Sequence, residues 1–258
     1  VTYDSIYDRP FKELDVLALT ELTYLPFGHI VPQGDTTGIP VRLSDAMELI
    51  DRTTDFIVSN QHLQLVDELA SSKRFKNIKL LNYVDEYDPD VQKQFAAMTY
   101  RLSLDTYLVV FRGTDDTLIG WKEDFHMTYM DHVPAQKRAA SYLQHVMKEF
   151  PKGRFLVAGH SKGGNLATYA CSYLPDSLFE RVDAIYSYDA PGLNKAIIET
   201  EGYQRTSPNI RRFVPQGSIV GMMLEVPEPT TIVKSRALGG FAQHDAFTWE
   251  TKDLSFLT

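Results

Sequence analysis

Apolar residues recur at steps of three and four through the first hundred residues and then gather into short unbroken runs. In "FKELDVLALTELTYL" (11–25), Leu14, Leu17, Ala18, Leu22 and Leu25 keep the spacing of one buried helical face. "LSDAMELIDRT" predicts a second helix, with Ser44 expected as its N-cap and Glu48 close to capping-box range. "QHLQLVDELASSKRF" reads as a third. The texture then changes. "IKLLNYVDEYD" (78–88) and, within 95–113, "AAMTYRL" and "TYLVVFR" are rich in β-branched and aromatic residues, with "SLDT" as the hairpin turn between the last two. A helical period returns in "AQKRAASYLQHVMKEF" (135–150). After it, "GRFLVAG" (153–159) reads as a buried strand and "GGNLATYACSYL" (163–174) as a helix. "RVDAIYSYDAPG" (181–192), "NIRRFVP" (209–215) and "TTIVKS" (230–235) supply three further strands. Strands alternating with helices predict an α/β chain with a mostly parallel sheet covered on both faces. We expect a single domain over 1–258, with 1–77 a helical part packed on a core formed by 78–258. No Pro/Gly/Ser-rich linker or like-charge run marks a seam.

Composition narrows the function classes. The chain has 258 residues, 43% of them hydrophobic, enough for one large core. Its net charge of −8 argues against nucleic acid as a partner, since phosphates attract Lys and Arg. A lone Cys171 excludes an intramolecular disulfide and any multi-cysteine metal site, and packing is its expected role. There is no charged-then-apolar leader, no apolar run near 18 residues and no Asn-x-Ser/Thr sequon. The expectation is a cytoplasmic protein without a transmembrane segment.

One stretch carries candidate chemistry. Gly159-His160-Ser161-Lys162-Gly163 stands where a predicted buried strand hands over to a predicted helix. A G-x-S-x-G pattern in that setting is a nucleophile elbow, a turn that lifts the serine hydroxyl to the carboxyl edge of a sheet. Glycines two positions to either side leave room where side chains would collide. The alternative is a glycine turn whose serine only caps the helix.

"LVVFRGTDD…GWKEDF" followed by "LVAGHSKGGNLA" resembles the class 3 lipases of the α/β-hydrolase superfamily, over about residues 100–195. The resemblance is closer still to a group of bacterial lipase-like proteins that share the Lys after the serine and a C-terminal "HD…TW". It implies an α/β-hydrolase fold with Ser161 as nucleophile. It also implies that Thr114, with the N–H of Lys162, binds the oxyanion, and that Trp121 and Asp124 lie in the segment beneath or within the lid, where Trp121 meets substrate. Arg112 beside Asp115 and Asp124 reads as an ion pair holding that loop.

A serine nucleophile needs an imidazole, and in this fold the chain order is serine, acid, histidine. Among the histidines, only His244 lies downstream of Ser161, in "GGFAQHDAFTW". His160 lies inside the elbow and points away from the hydroxyl. Class 3 lipases carry their acid just after the strand matching "RRFVP", but here that stretch reads Gln216-Gly217-Ser218. Asp189, one strand earlier in "YSYDAPG", is the acid we expect. A Ser–His dyad aided by Ser218 is the alternative, with Ser218 otherwise at the substrate mouth. Asp245 is disfavoured because it adjoins His244. Lys162 departs from the apolar residue common after the nucleophile. It suits an anionic acyl group, a pair with Asp189 or Glu225, or a solvated helix start.

The reading is a cofactor-free serine hydrolase acting on a small acyl ester through an acyl-enzyme, with transient lipid-surface contact allowed by the apolar residues of 115–130. Thioester cleavage is one alternative, and a catalytically silent binding scaffold, motivated by the carboxylate missing after "RRFVP", is another. A metal site through His126, Asp131 and His132 is disfavoured because it lacks the i, i+4 pair on one helix face.

Overall fold

The architecture is that of a computed structural model describing residues 5–6, 9–34, 38–54, 58–88, 90, 93–113 and 132–258. An eight-stranded sheet runs in chain order: β1 (Val41–Arg42), β2 (Lys79–Asp88), β3 (Lys93–Arg101), β4 (Thr106–Phe111), β5 (Arg154–His160), β6 (Val182–Tyr188), β7 (Ile210–Pro215) and β8 (Thr230–Val233). The first four strands pair antiparallel and β4 to β8 pair parallel, so the parallel half holds the middle and one edge. The expected "SLDT" turn joins β3 to β4, closed by Leu102 N–H donating to the Thr106 carbonyl at 2.9 Å.

Parallel neighbours need crossovers, and helices provide them. After α1 (Glu13–Leu22), α2 (Leu43–Leu49) and α3 (Asn60–Ser71) come α4 (Pro134–Glu149) and α5 (Lys162–Ser172). Strand side chains alternate between faces, which splits the core in two. Leu108 and Val110 of β4 join one apolar cluster with Leu19, Leu22, Met47, Val66 and Leu69 from α1–α3. Tyr107, Val109 and Phe111 join the other, with Ala139, Leu143 and Val146 of α4 and Leu166 and Ala170 of α5. Helices therefore cover both faces, as the alternation of elements predicts.

Two local expectations are corrected. α1 does not bury one stripe: Asp15, Thr20 and Glu21 are buried with Val16, Leu17, Leu19 and Leu22, while Leu14 and Ala18 are only half-buried. The helix is sunk among its neighbours, with polar groups facing inward. α2 is not capped by Ser44. Chain from β1 runs straight into it with Arg42 at the N-cap, and Ser44 Oγ donates to Asp45 Oδ1 inside the helix.

Among the described residues, no helix is long and apolar enough to cross a membrane.

Candidate active site

Parallel register aligns the carboxyl ends of neighbouring strands, and the candidate residues stand one step beyond them. His160 ends β5 opposite Tyr188, and Tyr188 ends β6 opposite Phe213 of β7. Ser161 N–H donates to the Tyr188 carbonyl at 2.9 Å, and Asp189 N–H donates to the Phe213 carbonyl at 2.8 Å. The ladder thus continues past the last strand residue and fixes Ser161 and Asp189 side by side on one edge.

Both residues adopt positive φ, 56° at Ser161 and 40° at Asp189. Ser161 also has ψ −136°, a region that costs roughly 1–3 kcal/mol for a residue with a side chain. Its surroundings hold it there: its carbonyl accepts from Gly164 N–H at 3.0 Å as α5 begins. The turn is as tight as the motif requires. A Cβ on Gly159 would lie 2.0 Å from the Gly163 carbonyl carbon, and one on Gly163 would lie 2.1 Å from the Phe111 carbonyl oxygen. Lys162 opens α5, so its N–H belongs to the electropositive end of the helix beside Ser161.

His244 comes to this edge on a short 3₁₀ turn, Ala242–His244. Gln243 anchors the turn: its Oε1 accepts from Gly217 N–H at 2.7 Å, its Nε2 donates to the Ala237 carbonyl at 3.0 Å, and its own carbonyl accepts from Trp249 Nε1–H at 2.8 Å. From there His244 Nδ1–H donates to Asp189 Oδ2 at 2.7 Å. A carboxylate only accepts, so the proton sits on Nδ1 and the neutral ring keeps its lone pair on Nε2. Asp189 is fully buried, while His244 keeps 23% of its side chain exposed. Asp189 Oδ1 accepts from Ser218 Oγ, which itself accepts from Gly221 N–H at 2.8 Å.

His160, expected to point away from the serine, supports the histidine. Its Nε2–H donates to the His244 carbonyl at 2.9 Å, and the two rings stack with centroids 4.6 Å apart. Its Nδ1 then accepts from Tyr24 O–H at 3.3 Å, and Tyr24 Oη accepts from Gly113 N–H at 3.1 Å. Glu21 of α1 lies 3.5 Å from His160 Nδ1 and 3.5 Å from His62 Nε2. Burial pushes the His160 pKa below its ordinary value, with Glu21 pulling against it, so the ring is neutral near pH 7. Burial alone would raise Glu21, but His160, His62 and His244 outweigh it and hold the carboxyl below its ordinary value.

The sequence model of the Mbeg1-like family matches residues 69–258. The chain belongs to the Mbeg1-like family. A search of curated proteins found no match. Among solved structures, a mono- and diacylglycerol lipase from Aspergillus oryzae is similar, with TM-score 0.56 and 15% identity over 91% of this chain and 85% of that one. A fungal lipase gives TM-score 0.55 and 12% identity over 88% and 81%. MDLA from Penicillium cyclopium, in a mutant form, gives 0.53 and 13% over 91% and 82%. The chain spans 57% of the length of the Rhizomucor miehei lipase chain in a propeptide complex that it also matches. At these identities the likeness is one of fold, and the fold is that of a lipase-like α/β-hydrolase.

The remaining expected residues of this Mbeg1-like chain fall as follows. Thr114 and Trp121 lie outside the described residues, as do Asp115, Asp124, His126 and Asp131. Gly113, the neighbour of Thr114, is packed against the elbow: a Cβ on it would stand 3.1 Å from Ser161 Cβ. Arg112 pairs with Asp85 of β2 at 2.9 and 3.0 Å, a partner absent from the sequence expectation. Lys162 is not a solvated helix start: it is 2% exposed, and its Nζ donates to the Gln94 carbonyl at 3.1 Å. Ser218 has its hydroxyl committed to Asp189 rather than held out towards a substrate. His132 Nδ1 meets the Tyr169 hydroxyl at 3.0 Å. The Glu21–His160–Tyr24 network escaped sequence reading, although Glu21, set among the apolar residues of 16–25, was its trace.

Proposed function

We propose that this chain is a serine hydrolase of carboxylic esters, working through an acyl-enzyme with Ser161, His244 and Asp189 as its triad. The observation that carries this reading is the 2.7 Å contact from His244 Nδ1–H to Asp189 Oδ2, made at the strand end beside the strained serine. That contact supports the tautomer with its lone pair on His244 Nε2, which a general base requires. It also supplies the carboxylate missing after β7, which was the motive for a silent scaffold.

In the proposed reaction, Ser161 Oγ adds to the acyl carbonyl carbon while its proton passes to His244 Nε2. Asp189 stabilises the imidazolium so formed. The N–H groups of Lys162 and Thr114 receive the oxyanion, each such donor being worth about 3 kcal/mol in the transition state. His244 then protonates the leaving alkoxide as the C–O bond breaks, giving the Ser161 ester. Water attacks this ester, its proton passes to His244, and the acid departs as Ser161 Oγ regains the proton. None of these steps requires a cofactor.

The substrate we assign is an ester with an apolar acyl chain, of the acylglycerol type, and Trp121 is its proposed contact. Burial of Lys162 supports this choice, because its cation bonds to β3 and supplies no anchor for an anionic acyl group. The similar folds of acylglycerol lipases point the same way. Hydrolysis of p-nitrophenyl esters of two to sixteen carbons tests the reading. We expect turnover that rises with chain length and falls by at least about 10³-fold in Ser161→Ala. No turnover of any ester, or equal turnover by Ser161→Ala, overturns it.

A further inference from the structure

The carboxylate proposed to orient His244 has a second oxygen, and that oxygen has its own holder. Asp189 Oδ1 accepts from Ser218 Oγ, while Oδ2 faces His244. Ser218 is oriented in turn: its oxygen accepts from Gly221 N–H at 2.8 Å, which leaves its proton for the carboxylate. The turn carrying both residues is tied to the sheet from below, because Arg212 Nη2 donates to the Gly221 carbonyl. Arg212 lies on β7, is 3% exposed, and feels the negative charges of Glu228 and Asp189 against the burial that pushes its pKa down. Glu228 in turn accepts from the Tyr203 hydroxyl. Gly221 is pressed against the acid so closely that a Cβ there would lie 2.5 Å from Asp189 Oδ1.

These bonds run from Arg212 through Gly221 and Ser218 to Asp189, where they meet the bond that His244 Nδ1–H donates from the other side. As far as Asp189 the path spans three segments: β7, the turn after it, and the end of β6. We propose that Ser218 is a positioning residue for the acid, and that the turn after β7, which lacks a carboxylate, acts by clamping one supplied from β6. This rests on the triad reading above. Ser218 touches neither substrate nor the reacting atoms in this role. It acts through Asp189 alone, and that restriction makes the idea testable.

The test combines a double-mutant cycle with a spectroscopic readout on the full chain. Ser218→Ala removes a hydrogen bond to a charged group, so kcat falls about tenfold to a hundredfold with KM nearly unchanged. Ser218→Thr keeps the hydroxyl and stays within about threefold of wild type. In an Asp189→Asn background, Ser218→Ala costs no more than about twofold further, because its route to catalysis is already cut. Independently of turnover, the low-field proton resonance that His244→Ala abolishes, that of Nδ1–H, moves in Ser218→Ala and returns in Ser218→Thr. An unmoved resonance in Ser218→Ala, or losses that multiply in the double mutant, overturns the proposal. Absence of ester turnover in wild type would overturn the hydrolase reading, while the resonance would still decide whether Ser218 holds the acid.

Discussion

His160 and His244 lie ring upon ring, 28° from parallel, and His160 donates its Nε2–H to the backbone carbonyl of the histidine it supports. The residue before the proposed nucleophile therefore fixes the proposed base. His160→Ala removes both the stacking surface and the donor, while leaving Asp189 and Ser161 in place. We expect kcat to fall about 10²-fold through misplacement of His244, with a smaller change in KM. Steady-state kinetics on a short-chain ester reads this directly.

His160 and its neighbour Glu21 also give a dependence of stability on pH. His160 has a pKa pushed below its ordinary value in the folded chain, so the unfolded chain takes up protons first as pH falls. Stability is then full above about pH 6.5, the ordinary imidazole value, and declines below it. Glu21 is also held below its ordinary value, so its contribution is present at neutral pH and is lost at more acid pH, below the ordinary carboxyl value. Thermal midpoints recorded from pH 8 to pH 4 fall in wild type from near pH 6.5 downward. His160→Asn removes part of the first decline.

Asp189→Asn tests the acid while respecting its backbone. Asn tolerates the positive φ of 40° at this position, so the turn survives and only the charge is lost. We expect kcat to drop by about 10³–10⁴-fold while KM changes little, because the amide no longer stabilises the imidazolium or its required tautomer.

The strongest signals of this candidate site are local, so its residues could be proposed from the sequence. The elbow needs Gly159 and Gly163 for steric reasons that hold in any fold of this kind, and the strand and helix around it follow from composition. His244 could be singled out because it alone follows Ser161. Asp189 had to be chosen between two strand ends, and only the register of β6 against β7 brings it to His244. Partners distant in sequence were not legible. Arg112 finds Asp85 across the β2–β3–β4 hairpins, and Lys162 reaches the Gln94 carbonyl of β3; neither pairing leaves a mark at its own position. The inward polar face of α1 was misread because a mixed step of three and four does not say whether a helix is buried on one side or all round.

A buried ion pair ties α1 to the segment that follows α3. Arg74 Nε and Nη2 each lie 2.6 Å from a carboxylate oxygen of Asp15, and the same guanidinium donates to the carbonyls of Ser5, Arg9 and Pro10. Arg74→Met takes the guanidinium from those carbonyls and from Asp15, which keeps the Lys12 N–H at 2.9 Å. The expected cost is about 3–5 kcal/mol, read by urea denaturation, with kcat of the remaining folded protein close to wild type.

Gly163→Ala places a methyl group 2.1 Å from the Phe111 carbonyl oxygen, and backbone on that side cannot yield. We expect α5 to be displaced from β4 and the protein to lose several kcal/mol, on the order of 3 or more, as for other severe overpacking of a core. Soluble yield and thermal midpoint report it. Recovery of a fully stable, fully active Gly163→Ala protein would show that the elbow is looser than its contacts indicate.

The central claim is that Ser161 is a nucleophile activated by His244. Intact-mass spectrometry after exposure to a fluorophosphonate measures it most directly, because the reagent needs an activated serine but no knowledge of the substrate. The account predicts one adduct per chain on Ser161 in wild type, none in Ser161→Ala, and labelling slowed by at least about 10²-fold in His244→Ala. No adduct in wild type, or an adduct that persists in Ser161→Ala, would contradict it.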